Sequence, residues 1–278
     1  MSGHLLCFGL GYSASALARR LVGEGWRIDG TSRSPGAALR FDRDHPLPAV
    51  AFSSITHILV SVPPDTAGDP VLDSHGADIA ALPGLRWLGY LSTTGVYGNR
   101  DGGWVDESDA LRPSGERGRR RVAAETGWLD LWRNAAVPVH VFRLAAIYGA
   151  GRSSFDALRA GTAKRIDKPG QVFSRIHVED LASTLAASIK RPRPGAIYNV
   201  CDDDPAPPAS VVEHAAALLG IAPPPLMPFA VTELSPMARS FYDDNKRVSN
   251  ALIKRELGHV LRYRSYRDGL AAILAEGG

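Results

Sequence analysis

The sequence has 278 residues, enough for one domain with a full hydrophobic core or for one domain with a smaller lobe. Hydrophobic residues make up 45% of it, and the net charge of +3 is too small for the basic surface of a nucleic-acid-binding protein. No apolar run approaches the roughly 20 residues that cross a bilayer, and no basic-then-apolar leader precedes the first strand, so we expect a cytoplasmic protein without membrane contact. Two cysteines, Cys7 and Cys201, predict neither a disulfide framework nor a metal cluster.

The first predicted unit of the chain is a strand, a tight turn and a helix. An apolar run over residues 4–8 precedes Gly9 and Gly11, and apolar side chains at helical spacing follow. In a dinucleotide-binding βαβ unit the first glycine permits the turn, the second lets the backbone approach the pyrophosphate, and Ala14 is an accepted third position. The pyrophosphate would rest on the helix N-terminus, whose N–H groups and dipole favour negative charge. The predicted cofactor-binding residues of this unit are Gly9, Gly11, Tyr12, Ser13 and Ala14.

The end of the second predicted strand selects the cofactor. An acidic residue there would bond the adenosine ribose hydroxyls and favour NAD, whereas an arginine accommodates the 2′-phosphate of NADP. This chain has Thr31, Ser32 and Arg33 at that place and no carboxylate, which favours NADP(H) over NAD(H). The alternative, that Arg33 is a solvent-exposed loop arginine, stays open. The next buried strand ends at Val62 and Pro63, and we predict that both line the cofactor crevice, as loops at the carboxyl ends of such strands do.

Buried strands and helices alternate along the first half of the chain, which predicts an α/β fold with a Rossmann-type, doubly wound parallel sheet. Beyond Gly151 the rhythm loosens, and helices with proline-rich connections predict a small, mostly helical C-terminal substrate lobe. The predicted division is a nicotinamide-binding domain over 1–152 with a returning segment near 171–220, and a lobe made of 153–170 and 221–278. Local predictions are a strand around 39–42, a helix within 113–135 and a helix near 246–257 that Gly258 stops.

Five segments, in the order in which a known family has them, carry a resemblance over nearly the whole chain. They are Gly9–Gly11, Leu91–Gly98, Arg143–Arg152, Ile176–Ala182 and Tyr198–Val200. With these segments the chain resembles the extended short-chain dehydrogenase/reductases, the NAD-dependent epimerase/dehydratase group. The resemblance implies a nicotinamide-dependent oxidoreductase, epimerase or dehydratase that acts on a small polar substrate, phosphorylated and nucleotide-linked compounds included. It also implies a homodimer through a four-helix interface, to which the arginine-rich helix after Pro113 would contribute against its own charge.

The resemblance further implies where the catalytic groups stand. Members of the family orient the substrate oxygen with a Ser or Thr hydroxyl, at the position of Thr93 here, and move a proton with a Tyr and a Lys four residues later. In this chain Arg117 stands where the Tyr belongs and Arg121 where the Lys belongs. A guanidinium stays protonated in proteins, so Arg117 cannot give and retrieve a proton. Arg121 keeps the positive charge that would hold ribose hydroxyls or a cofactor phosphate.

Three interpretations of this departure remain open. Another acid substitutes for the tyrosine; the reaction needs only charge stabilisation by arginine; or the protein is a catalytically silent NADP(H)-binding sensor or scaffold. The candidate acids are Tyr97, which would be tested first, then Tyr148 and His177, and after them Tyr242 and His259.

Two further residues are predicted to bind the substrate. Thr94 follows Thr93 at the end of a buried strand, and Arg152 follows the Ile-Tyr-Gly turn, near which similar enzymes use a basic residue to meet an anionic part of the substrate. Arg143, at the other end of that segment, is predicted to be mostly structural. The sequence thus predicts an enzyme of a recognisable type without its usual proton relay.

Overall fold

The computed structural model describes residues 2–278. In the first half of the chain the elements are β1 (His4–Phe8), α1 (Tyr12–Gly23), β2 (Arg27–Gly30), β3 (His57–Val60), α2 (Pro70–Ala80), β4 (Trp87–Thr93), β5 (Trp104–Val105), α3 (Glu116–Ala135) and β6 (Val139–Leu144). In the second half they are β7 (Ala146–Tyr148), α4 (Ser154–Arg159), β8 (Arg165–Asp167), β9 (Arg175–His177), α5 (Val178–Lys190), β10 (Ile197–Val200), α6 (Pro208–Leu218), β11 (Leu226–Pro228), α7 (Pro236–Ser240), β12 (Arg247–Val248), α8 (Ala251–Leu257) and α9 (Tyr266–Ala275).

A six-stranded parallel sheet forms the centre of the molecule, in the order β2-β1-β3-β4-β6-β10. Helices α1, α5 and α8 cover one face of the sheet, and α2 and α3 cover the other. This arrangement confirms the predicted Rossmann-type, doubly wound sheet. The order of the strands reverses between β1 and β3, which is the place where open sheets of this kind bind their ligands.

The predicted strand around 39–42 is wrong, because this stretch makes only two isolated bridges, a parallel one between Ser32 and Arg40 and an antiparallel one between Asp42 and His45. Only residues 31–38 separate β2 from this stretch, and they include Pro35 and Gly36, so no crossover helix forms between the two. Two backbone hydrogen bonds, from Ser32 N–H to the Leu39 carbonyl and from Phe41 N–H to the Ser32 carbonyl, hold the stretch at the sheet edge. The sheet therefore ends at β2.

The helix predicted within 113–135 is α3, which begins after Gly115 and ends at Ala136 in a left-handed conformation with a φ of +54°. Its buried face, which includes Glu125 and Trp128, packs on the sheet, and its arginine-rich first turns lie at the carboxyl end of the strands. Within residues 2–278, no helix combines the length and the apolar character that crossing a membrane requires.

The C-terminal lobe has its own small core, to which Tyr148, Phe155, Val211 and Leu270 contribute. Helices α4 and α9 both begin with a capping box, in which a serine and an aspartate three residues later satisfy each other's backbone N–H groups. Helix α6 packs against α4 and α9 in this lobe, while β10 just before it belongs to the central sheet. The division of the chain into two parts stays a prediction.

The helix predicted near 246–257 begins only at Ala251, although Gly258 ends it as predicted, with a φ of +60°. Arg247 and Val248 form the short strand β12, which pairs in parallel with β5. The backbone N–H groups of Arg247 and Ser249 donate to the carbonyls of Gly103 and Val105, both at 2.9 Å. This extended stretch runs beside the carboxyl end of the central sheet and carries Lys246 with it.

Candidate functional site

The turn after β1 depends on Gly9. Its φ of +84° lies in the left-handed region, and a Cβ at this position would lie 2.9 Å from the Ser61 hydroxyl oxygen. The Gly9 N–H donates to the Thr31 hydroxyl at 2.9 Å, and the Ser61 hydroxyl donates to the Gly9 carbonyl. Residues that follow β2 and β3 therefore hold the turn in place.

Helix α1 begins without a capping side chain and without an acidic residue in its first turn. Gly11 occupies the N-cap, and a Cβ there would meet no heavy atom within 4 Å. Tyr12 and Ser13 follow on the surface of the same cleft, whereas Ala14 is fully buried against the sheet. Open space in front of unpaired N–H groups at a helix start suits an anionic group such as a pyrophosphate, so these residues fit a dinucleotide.

A cleft of about 740 Å³ lies between the carboxyl end of the sheet and the segment 240–248 of the C-terminal part. Eight residues that the sequence predicted for the site line it together: Gly11, Tyr12, Ser13, Thr93, Thr94, Arg117, Arg121 and Arg152. Other predicted residues do not line it: Gly9, Ala14, Thr31, Ser32, Arg33, Val62, Pro63 and Tyr97.

Thr93 ends β4 and caps the short turn that follows it. Its hydroxyl oxygen accepts the Gly95 N–H at 3.1 Å, which leaves the hydroxyl proton available to a substrate oxygen in the cleft. Thr94 beside it is half-buried and also lines the cleft. The position of Thr93 is compatible with the role that the family resemblance implies.

Three guanidinium groups face the cleft. Arg121 donates to the Leu91 carbonyl at 2.6 Å, Arg117 lies 6.0 Å from the ring of Phe241, and Arg152 lies 5.7 Å from the ring of Tyr12. Nearby Glu116 pairs with other arginines of α3 instead, Arg119 and Arg120. Within the part of the chain that the structure describes, none of the three has a carboxylate within 4.0 Å. Glu116, Asp243 and Asp244 also line the cleft, so its positive charge is concentrated at these three arginines, where an anionic ligand would neutralise it.

Arg143 lies beneath the cleft in a buried ion pair. Its guanidinium is 3% exposed and donates to the Glu125 carboxylate from Nη2 at 2.8 Å and from Nε at 3.2 Å. The Ser92 hydroxyl donates to the same carboxylate. This network supports the end of β4 from below, in agreement with a structural role for Arg143.

Tyr97 belongs to the same buried network. Its hydroxyl accepts from Arg143 Nη1 at 2.9 Å and donates to Asn199 Oδ1 at 2.8 Å. The side chain is fully buried, and burial raises the pKa of Tyr97 to about 12. We do not assign Tyr97 the role of the acid, because its proton is bonded away from the cleft.

Replacement of Tyr97 by phenylalanine is therefore expected to affect stability and not the cofactor. Tyr97→Phe leaves Asn199 and Arg143 each short of one buried partner, which should lower the free energy of unfolding by about 1–3 kcal/mol. Denaturant unfolding measures that loss, and calorimetry checks that NADPH binding is unchanged.

A matched control is Tyr90→Phe. Tyr90 is equally buried, but its hydroxyl has no hydrogen-bond partner within residues 2–278, so removal of this hydroxyl should cost little. Loss of NADPH-dependent turnover in Tyr97→Phe without any loss of stability would contradict the structural role of this phenol.

The other candidate acids also lie away from the cleft. Tyr148 donates to the Ser265 carbonyl at 3.3 Å, and the His177 ring accepts the Glu179 N–H at the start of α5. Burial lowers the pKa of His177 to about 4, so that ring is neutral. Tyr242 packs between Phe173 and Phe229, and His259 lies beside Ser183. None of these four residues lines the cleft.

The residues predicted to select the cofactor lie outside the cleft, at the far end of the predicted dinucleotide site. Thr31 is buried with its hydroxyl on the Gly9 N–H, and the Ser32 hydroxyl bonds to that of Ser34 at 3.2 Å. Arg33 is exposed at the end of β2, and Val62 and Pro63 follow β3. Whether these residues contact a cofactor stays a prediction.

Sequence reasoning missed the wall that the C-terminal part contributes. Asp244 and Lys246 line the cleft from the segment before β12, and Ser114 lines it from the segment before α3. The Ser114 hydroxyl donates to Asp244 at 2.6 Å, and Lys246 Nζ lies 3.1 Å from the other oxygen of that carboxylate. No local pattern indicates this cluster, because it forms between segments about 130 residues apart.

The fold and the cleft together define a class. The parallel sheet reverses its strand order between β1 and β3, and a glycine turn and an uncapped helix start lie at this switch point. This is the architecture of a Rossmann-type dinucleotide-binding protein. No family model matches the chain. Among solved structures, MoeE5 in complex with UDP-glucuronic acid and NAD has a TM-score of 0.79 with 21% identity over 98% of both chains. A putative NAD-dependent epimerase/dehydratase from Methylobacillus flagellatus has a TM-score of 0.72 with 24% identity over 99% of this chain and 98% of that one, which confirms the fold of the NAD-dependent epimerase/dehydratase group.

Nearer relatives exist. The chain belongs to the same family as a functionally unknown conserved protein from Silicibacter pomeroyi, with 52% identity over 99% of both chains and a TM-score of 0.92. It is 26% identical to the protein YeeZ of Escherichia coli, over 78% of this chain and 84% of that protein. A 3-diazoavenalumate denitrifying reductase from Streptomyces is 30% identical over 141 residues, and the match spans 47% of this chain and 45% of that reductase.

Proposed function

We propose that this protein is an oxidoreductase of the epimerase/dehydratase type that binds a nicotinamide cofactor, NADP(H) in preference to NAD(H), and acts on a small anionic substrate. The observation that carries the proposal is the composition of one cleft, which combines an uncapped helix start beside a glycine turn with three guanidinium groups that lack carboxylate partners. The solved relatives of this fold whose names include NAD, and the reductase from Streptomyces, support the same class.

In this proposal the cofactor pyrophosphate lies at Gly11, Tyr12 and Ser13, while Arg33 meets the 2′-phosphate. Arg121, next to the end of β4, holds the ribose or a phosphate of the cofactor. A bound nicotinamide supplies a hydride equivalent, which no side chain of the cleft can provide. The fit rests on the open space at Gly11 and on the absence of an acidic residue in the first turn of α1.

The substrate would be small and anionic, phosphorylated and nucleotide-linked compounds included. Arg152 and Arg117 would bind the anionic part of the substrate, and Thr94 would bind a neighbouring polar group of it. Thr93 would donate its hydroxyl proton to the oxygen at the reacting carbon, and the charge of Arg117 or Arg121 would stabilise an oxyanion that develops there.

Calorimetric titration with NADPH, NADP⁺ and NADH tests the cofactor assignment. Arg33→Ala is expected to weaken NADPH binding by about 10–100-fold, the value of one hydrogen bond to a charged group, and to leave NADH binding unchanged. Arg27→Ala is the matched control, because Arg27 lies exposed at the opposite end of the same strand. Equal weakening of NADPH and NADH binding in Arg33→Ala would contradict a 2′-phosphate contact, and absence of nicotinamide binding in the wild type would overturn the proposed function.

A second candidate function is a catalytically silent NADP(H)-binding sensor or scaffold. The observation that favours it is that arginines stand at both positions of the usual proton relay. Tight NADPH binding without oxidation of NADPH in the presence of any anionic carbonyl compound would support the silent protein, whereas turnover would support the enzyme.

A further inference from the structure

Lys246 is a nearly buried cation in the wall of the cleft. Its side chain is 10% exposed, and its ammonium nitrogen lies 3.1 Å from a carboxylate oxygen of Asp244. The second oxygen of this carboxylate accepts the Ser114 hydroxyl proton at 2.6 Å. Lys246 therefore faces the same space as Thr93 and the arginines of α3, from the opposite part of the chain.

The backbone around Lys246 is firmly held. Gln171 Nε2 donates to the Asp244 carbonyl at 2.8 Å, and the Val172 N–H donates to the Asn245 side chain at 3.1 Å. On the other side the Val248 N–H donates to the Ser174 hydroxyl at 3.1 Å. A backbone held on both sides of Lys246, together with the contact of its ammonium group with Asp244, limits the positions of this side chain relative to a ligand, which proton transfer requires.

The chemistry of the cleft-lining groups leaves few acids. Guanidinium groups do not lose their protons, and carboxylates such as those of Asp243 and Asp244 accept protons near neutral pH rather than donate them. The Tyr12 hydroxyl donates to the Ala150 carbonyl at 3.0 Å, and burial raises its pKa. Among the titratable groups that line the cleft within residues 2–278, Lys246 remains as a donor that can also recover its proton.

We propose that Lys246, in place of the tyrosine of the usual relay, delivers the proton to the substrate oxygen during reduction and accepts it in the reverse direction. The inference rests on the proposed function. As hydride from a dihydronicotinamide reaches the carbonyl carbon, the π electrons move to the oxygen, an N–H bond of Lys246 breaks and an O–H bond forms. The neutral amine then regains a proton from water. In sum, the reaction consumes a carbonyl compound, a reduced nicotinamide and one proton, and it produces an alcohol and an oxidised nicotinamide.

The surroundings of Lys246 support this role. Burial lowers the pKa of the Lys246 ammonium, the carboxylate of Asp244 opposes that shift, and the positive charge of Arg100 adds to it. A lower pKa makes an ammonium a better proton donor near neutral pH.

Lysine side-chain NMR tests the proposal without a substrate. The Lys246 signal, assigned by its absence in Lys246→Arg, is expected to titrate below the ordinary range of a lysine in the protein without added nucleotide, and Asp244→Asn should lower its pKa further. Exposed Lys190 serves as the reference, since it lies at the end of α5 and pairs with Glu24. Titration of Lys246 together with Lys190 would overturn the proposal.

A kinetic arm uses dihydroxyacetone phosphate, a small anionic carbonyl compound, as the probe and follows the oxidation of NADPH. Lys246→Met and Lys246→Arg are both expected to slow this oxidation by about 100-fold or more, while Lys190→Met leaves it unchanged. An undiminished rate in Lys246→Arg would overturn proton delivery, because charge alone would then suffice. Absence of NADPH binding in the wild type would defeat the proposed function, whereas the NMR titration tests Lys246 separately.

Discussion

Gly11→Val is expected to weaken NADPH binding by about 100-fold or more, a change of about 2.8 kcal/mol, while the protein stays folded. The reason is the open space in front of this residue, where a Cβ meets no heavy atom within 4 Å. The branched side chain would occupy the volume into which a pyrophosphate fits, and it would cover the N–H groups at the start of α1. The backbone of Gly11 is extended, with a φ of −87°, so valine adopts it without strain.

Calorimetric titration with NADPH and thermal unfolding of the same preparations check this result. Gly84→Val is the matched control: Gly84 also has open space around a Cβ, but it lies in the turn before β4 and does not line the cleft. If Gly11→Val binds NADPH as well as Gly84→Val does, the pyrophosphate does not lie at this helix start.

The second large effect concerns stability. Arg143→Met is expected to lower the free energy of unfolding by about 3–5 kcal/mol, because removal of one partner of a buried ion pair leaves the other charge uncompensated. Glu125 is 1% exposed, and without Arg143 its carboxylate would keep only the Ser92 hydroxyl as a side-chain partner. The Tyr97 hydroxyl would lose a donor as well. At roughly 2–4 °C per kcal/mol for a chain of about this size, the melting temperature should fall measurably.

Denaturant and thermal unfolding of Arg143→Met, Glu125→Gln and the double variant measure this coupling. We expect the double variant to lose less stability than the sum of the two single changes, because the partners interact directly. Arg133→Met is the control: Arg133 forms an exposed pair with Asp130 on the same helix as Glu125, and such pairs contribute about 0–1 kcal/mol. A loss in Arg143→Met no larger than in Arg133→Met would show that the buried pair does not stabilise the end of β4.

The sequence predicted most of the central sheet because its signals are local. The apolar run of β1, the glycines after it and the helical spacing of α1 are neighbours along the chain, and each acts within a few residues. The prediction was wrong at 39–42, where apolar and polar residues alternate briefly but no crossover helix follows β2. A strand needs a partner along its whole length, and this stretch forms only isolated bridges, from Arg40 to Ser32 and from Asp42 to His45.

The search for a proton donor illustrates the limit of motif reasoning. Tyr97 stands in a segment typical of the family, yet its hydroxyl points to Arg143 and Asn199 under the cleft. Lys246 lies in a stretch that the sequence predicts to be helical. In the structure the next two residues form the strand β12, which pairs with β5, more than 100 residues earlier in the chain. Helical propensity is a local property, so it could not indicate that long-range backbone pairing would extend residues 247–248 and set Lys246 in the wall of the cleft.

By itself the sequence determined the class of fold, and it predicted a pyrophosphate at the glycine turn and arginines, Arg117 and Arg121, at the places of the Tyr–Lys pair, since all three depend on residue types at short spacing. Only the tertiary structure decided which charged groups share one cleft and which are buried in pairs. Arg143 and Arg121 look alike in sequence, but Arg143 is neutralised by Glu125, whereas Arg121 has no carboxylate of residues 2–278 within 4.0 Å. That difference arises because the solvation and partners of a charge depend on packing between distant segments, which no local pattern encodes.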